Sequence, residues 1–165
     1  MTPEEREEYI RRTVWDAMLD ADLNVRYRDH LSRRYFNLDK YAKIFLAVMS
    51  SSTVASWGIW SEIDILWKIL SAISTLIAVV LPILNWQQIT GRMFNLVGKW
   101  SQIRYEYENL WLDLLQNSKS INIIEDEYKR IKGAEIGLDE TGLPDDRKLL
   151  LLCRDEVLKS RGLKN

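Results

Sequence analysis

One cysteine, one histidine and three prolines in 165 residues leave little room for several kinds of chemistry. The single thiol, Cys153, excludes an intramolecular disulfide and suits a reducing compartment. It precedes Arg154 in a leucine-rich segment, so it reads as a packing thiol and not a reactive one. The single imidazole, His30, sits among Asp29, Arg33 and Arg34 on a polar helix, where a solvated or capping role is the ordinary one. One residue of each type makes no metal site of the usual His/Cys kind and no supported Cys-His nucleophile. The seven glycines are scattered and none belongs to a phosphate-cradling loop. A formal net charge of −1 supplies no bulk attraction to nucleic acid, so no direct sequence-specific nucleic-acid binding is expected. The paired carboxylates Glu4-Glu5 and Asp145-Asp146 stand where helix starts favour negative charge. Neither catalysis nor a cofactor is expected. Residues 2–12 are mostly Glu, Arg and Tyr and lack the apolar core of a signal peptide, so the first apolar segment is expected to target the chain.

What the chain does have is two uncharged stretches close together, residues 44–61 and 69–91, separated by a short turn region carrying Glu62, Asp64 and Lys68. As helices they reach about 27 Å and about 34 Å, against a hydrocarbon core of about 30 Å. This predicts an all-α protein built on a two-transmembrane helical hairpin. Arg33, Arg34, Lys40 and Lys43 precede the first stretch and Arg92 and Lys99 follow the second, while the turn between them is acidic. By the positive-inside rule both termini are then cytoplasmic, in a multi-pass protein of the inner membrane. Trp57, Trp60 and Trp67 cluster at the turn and Trp86 and Trp100 beyond the other end, at depths that suit indole rings at the headgroups. A soluble helical adaptor is the competing reading, because Ser50, Ser51, Ser52, Thr53 and Ser56 weaken the first stretch and mean hydropathy over the chain is negative. The second stretch opposes it, being apolar on every face in a chain too small to surround such a helix.

Thr2-Pro3-Glu4-Glu5 is a helix start, with proline in the first turn and carboxylates at the positive end of the dipole. It opens an amphipathic helix over residues 4–38, with Tyr35, Phe36 and Tyr41 placed for the membrane interface. Beyond the second stretch, Met93, Leu96, Trp100, Ile103, Tyr107, Leu110 and Leu114 alternate spacings of three and four. Asn117, Ile121, Ile124, Tyr128 and Ile131 carry the register on. A 3.5-residue period over about five heptads predicts one cytoplasmic rod over residues 92–132, whose seam packs on the N-terminal helix and on further copies in a homo-oligomer. Residues 1–132 thus form the membrane-hairpin domain. Residues 133–144 hold three glycines and a proline and form a loop, and residues 145–162 form a last helix, capped by Asp145 or Asp146 and ending near Gly162. Its Leu149–Leu152 run covers the cytoplasmic bundle or meets a partner.

Within the apolar stretches, Ser51, Ser52, Thr53, Ser56, Ser71, Ser74 and Thr75 bring small and hydroxyl-bearing side chains onto neighbouring faces. Close helix packing and the lining of a water-filled path are both open readings, and they are compatible. Pro82 removes a backbone donor inside the second stretch, which makes it either a gate hinge or an ordinary tolerated proline.

The order of a basic-aromatic helix with Arg33-Arg34-Tyr35-Phe36, two close spans and a long amphipathic helix resembles the SLATT family, two-transmembrane effectors of prokaryotic defence systems. The likeness covers about residues 10–132 and is chiefly architectural. It implies a pore-forming or membrane-disrupting effector in antiviral abortive infection, silent until a sensor acts. Such sensors include nucleotidyltransferases that make cyclic oligonucleotides, SLOG nucleotide-binding proteins and reverse transcriptases. Unlike fused versions, these residues include no sensor domain, so the trigger is expected from a partner or a nucleotide ligand. The alternative function is a non-conducting membrane anchor or scaffold that recruits a cytoplasmic enzyme.

Overall fold

The computed structural model describes residues 2–51, 64–138 and 142–163. Among these the chain is all-helical: α1 (Pro3–Met49), α2 (Asp64–Leu84), α3 (Trp86–Gln116), α4 (Ile121–Ile136) and α5 (Arg147–Ser160), with no strand. The residues fall into two compact units, Met1–His30 with Met93–Asn165, and Leu31–Arg92.

α1 begins as its first residues require. The Thr2 hydroxyl accepts from the Glu5 N–H at 3.2 Å, and the Glu5 carboxylate accepts from the Thr2 N–H at 2.7 Å, a reciprocal capping box with Pro3 at the first helical position. The helix then runs 47 residues, past the expected end at residue 38, because nothing between Leu38 and Met49 breaks it: no glycine or proline occurs there.

In the first unit Ile10, Val14, Ala17, Met18 and Ala21 form the inward stripe of α1. They pack with Leu96, Trp100, Ile103, Tyr107, Leu110 and Leu114 of α3 and with Ile124 and Ile131 of α4, all of them buried. The heptad seam from Met93 to Leu114 is buried within a single chain, 0–6 % exposed. One prediction is corrected here. Trp100, placed by its sequence position at the headgroups, belongs to that same core. Trp15 and Trp111 close one side of it at a centroid distance of 4.9 Å.

The expected single rod over residues 92–132 is two helices, and α2 before it is separate from both. Asn85 (φ 46°) ends α2 and Asn117 (φ 50°) ends α3, both in the left-handed region that asparagine tolerates better than most residues. At the second break the Ser118 N–H bonds the Asp113 carbonyl at 3.1 Å, closing the helix as a Schellman turn does. Asn117 therefore does not select an oligomer register within a continuous seam; it lets α4 fold back onto the same core as α3. Arg6 of α1 clamps α4 from outside, its Nε and Nη2 donating to the two Glu125 carboxylate oxygens at 2.8 and 2.7 Å. This bidentate pair holds the Glu125 carboxyl below the usual range.

α4 runs on to Ile136, so the expected loop starts four residues later than its first glycine suggests. Asp146 caps α5 by accepting from the Lys148 and Leu149 N–H groups. The far end of α5 is a complete Schellman turn at Gly162 (φ 70°), with Leu163 N–H to Leu158 C=O at 2.8 Å and Gly162 N–H to Lys159 C=O at 3.1 Å. Cys153 and Val157 face inward from α5. Burial, then the Glu156 charge, pushes the Cys153 thiol up.

Tyr27 of α1 fixes where α5 begins. Its hydroxyl donates to the Asp145 carboxylate at 2.6 Å and accepts from the Asp146 N–H at 2.7 Å. Burial, followed by the Asp145 hydrogen bond, pushes Tyr27 from 10.0 up to about 12. The folded chain thus holds the neutral phenol after the unfolded chain has begun to ionise. The stability Tyr27 contributes is whole below pH 10 and is lost as pH rises through about 12. In an alkaline titration followed by urea denaturation, Tyr27→Phe is expected to cost about 1 kcal/mol at pH 7 and to flatten the loss of stability above about pH 10. An unchanged alkaline limb in the variant would show that Tyr27 is not a source of it.

Candidate functional site

In the second unit the body of α2 is almost wholly apolar. Ile65–Leu84 is a 20-residue stretch long and apolar enough to cross a membrane, and none of it is buried inside the chain. At about 1.5 Å per residue it matches the hydrocarbon thickness of about 30 Å. A core helix of a soluble protein would pass the same length test only while covered by its neighbours. Here Ile65, Leu66, Ile69, Ile73, Leu76, Val79 and Ile83 stand 42–76 % exposed. Contiguous apolar surface of this extent marks a membrane or protein contact. The stretch begins and ends earlier than the expected 69–91, because Asn85 breaks the chain there and residues 86–91 belong to α3.

α2 is not uniform around its axis. Trp67, Leu70, Ser74, Ile77, Val80 and Leu81 are half-buried and, at helical spacing, form an inward stripe. A cleft of about 440 Å³ lies between the end of α1 and the end of α2, lined by Leu38, Tyr41, Ala42 and Phe45 on one side and by Leu76, Ile77, Val80, Leu81 and Leu84 on the other, with Trp86 at its edge. Lys43, on the same stretch of α1, is bonded to Asp39 at 2.6 Å.

The predicted lining residues separate. Ser52, Thr53 and Ser56 lie outside the described residues, as do Trp57, Trp60 and Glu62; of the 44–61 stretch only residues 44–51 are described, as the end of α1 and its first following turn. Ser51 donates its backbone N–H to the Val48 carbonyl. Ser74 donates its hydroxyl to the Leu70 carbonyl at 2.8 Å and Thr75 to the Ser71 carbonyl at 2.9 Å. Each is satisfied inside its own helix, so neither hydroxyl requires water or a neighbouring helix. Ser74 belongs to the inward stripe, whereas Ser71 and Thr75 point outward. Pro82 lies within helical α2, and the interruption falls three residues later at Asn85. There the Asn85 carbonyl accepts from the Gln88 and Ile89 N–H groups, while its side-chain amide donates to the Gln88 side chain. Asparagine is thus both the end of α2 and the cap of α3. Its left-handed φ is a local signal that the heptad count outweighed in the sequence.

Among the described residues these features define a class: an all-helical protein with one helix long and apolar enough to cross a membrane and exposed along most of its length. Comparison of the chain with protein-family models, curated proteins and solved structures gives no match in any of the three.

Proposed function

We propose that this chain is a membrane effector that assembles in the inner membrane and permeabilises it, as the cell-killing arm of an antiviral defence. In this reading α2 and the segment before it insert as a two-span hairpin with both termini cytoplasmic, and a partner sensor or a nucleotide signal triggers assembly. The observation that carries it is the uncovered apolar surface of α2, which water does not tolerate and lipid does. The bundle core is already closed within one chain, so copies meet through α2 and not through the Met93–Leu114 seam. Ile69, Ile73, Leu76 and Ile83 are the contact surface.

The test is induction of the full chain in a bacterial host, with membrane potential followed by a voltage-sensitive dye and localisation by carbonate extraction. Depolarisation by the parent chain is expected. Ile73→Asp with Leu76→Asp is expected to abolish it and to move the chain out of the membrane fraction, since each central carboxylate costs about 2.5–3.5 kcal/mol of insertion. A triggered chain that resists carbonate extraction while cells retain their potential would refute permeabilisation.

One observation favours the anchor reading as the second choice. Leu151 and Leu152 are 55 and 51 % exposed on α5, on the side away from Cys153 and Val157. A recruited enzyme would meet these residues, and liposomes holding the purified chain would stay sealed.

A further inference from the structure

The only histidine and the only cysteine of the chain, 123 positions apart, meet in the fold with a carboxylate between them. His30 comes from α1, and Cys153 and Glu156 are three residues apart on one face of α5. One donor atom from each lies within 4.8 Å of the other two.

We propose that His30, Cys153 and Glu156 form a metal site of the zinc class that ties α5 to α1. The donor set is the first argument. An imidazole nitrogen, a thiolate and a carboxylate oxygen are the three protein ligands zinc takes, and three of them leave a fourth position for water or an exchangeable ligand. The spacing is the second. Tetrahedral ligands at zinc bond lengths of about 2.0–2.3 Å stand about 3.2–3.8 Å apart. His30 Nε2 and Glu156 Oε2 are already 3.5 Å apart, and the other separations need to close by no more than about 1 Å. Two of the three side chains have the freedom to do this, being 46 and 38 % exposed. The buried thiol is the fixed point around which they close.

An ordinary ion pair between His30 and Glu156 explains the arrangement less well. It requires a protonated imidazole, its 3.5 Å separation is longer than a charge-assisted hydrogen bond, and it gives no part to the thiol. Arg26, the cation that acts on Cys153, is held by Asp22 at 3.2 Å, so its charge does not oppose a bound dication unscreened. The consequence is mechanical. The Tyr27 hydroxyl joins α1 to the start of α5, and Arg26 with Ser160 and Asp22 with Arg161 join it to the end; a metal would add a tie at His30, Cys153 and Glu156.

The full chain, purified in detergent and stripped of metal, is titrated with cobalt(II) and then with zinc(II). The expected result is one equivalent of cobalt with tetrahedral absorption and a thiolate charge-transfer band, both displaced by zinc, together with slower amide exchange across α5. Cys153→Ser is expected to remove the charge-transfer band. His30→Ala, at a half-exposed position, is expected to keep the helical content and to weaken cobalt binding by about tenfold or more, as is Glu156→Gln. A parent chain of full helical content that shows no thiolate band overturns the proposal, as does cobalt binding that His30→Ala leaves unchanged.

Discussion

Ile103→Asp is expected to unfold the α1–α3–α4 bundle at every protein concentration. Ile103 is 5 % exposed in the middle of the core, so the substitution buries a carboxylate with no partner. The cost exceeds about 4 kcal/mol, against a total of about 5–15 kcal/mol for a domain of this size. Ile103→Val keeps the shape and removes one methyl group, so its cost is about 0.5–1.5 kcal/mol. Urea denaturation followed by circular dichroism separates the two. The experiment also decides what the heptad pattern is for. A folded, monomeric Ile103→Asp chain that had merely lost an oligomer peak would show that Met93–Leu114 is an interface between copies, which its burial within one chain opposes.

The second large effect is expected at Asp22. This carboxylate, 2 % exposed, is surrounded by three guanidinium groups: Arg26 at 3.2 Å, Arg104 at 3.4 Å and Arg161 at 3.5 Å. Together they join α1 to α3 and to the residue that follows α5. Asp22→Ala removes the shared anion and leaves cations facing one another. Arg161 keeps Glu108 at 2.7 Å and Arg26 keeps the Ser160 hydroxyl at 2.9 Å, whereas Arg104 loses its ion pair with Asp22. Breaking a buried pair costs about 3–5 kcal/mol, and these arginines are a quarter to a third exposed, so about 2–3 kcal/mol is the expected loss. Asp22→Ala combined with Arg104→Met is expected to recover part of it. A double-mutant cycle with no coupling between the two positions would remove Arg104 from the cluster.

The particular elements show what could be read in advance. The α1 start followed from Thr2-Pro3-Glu4-Glu5, because a capping box involves only four consecutive residues. The end of α5 at Gly162 followed for the same reason. The apolar character of residues 69–84 was equally plain, since it depends on composition and length. The breaks at Asn85 and Asn117 were not read. Each depends on one residue adopting a left-handed φ, Asn117 inside the 3.5-residue period and Asn85 inside the uncharged 69–91 stretch. The meeting of His30 with Cys153 was invisible, since neither residue has a ligand partner at metal-binding spacing in its own segment until Glu156 is brought into account.

By itself the sequence determined that this protein is helical and that one of its helices is long and apolar enough to cross a membrane, because helix period, capping and hydropathy are properties of neighbouring residues. Only the tertiary structure decided which apolar surface the chain covers for itself. The heptad seam could have faced another copy or its own N-terminal helix, and the period is the same in both cases. Folding α3 and α4 onto Ile10–Ala21 buried that seam within the chain, because a helical stripe records that it will be buried and carries no record of what buries it.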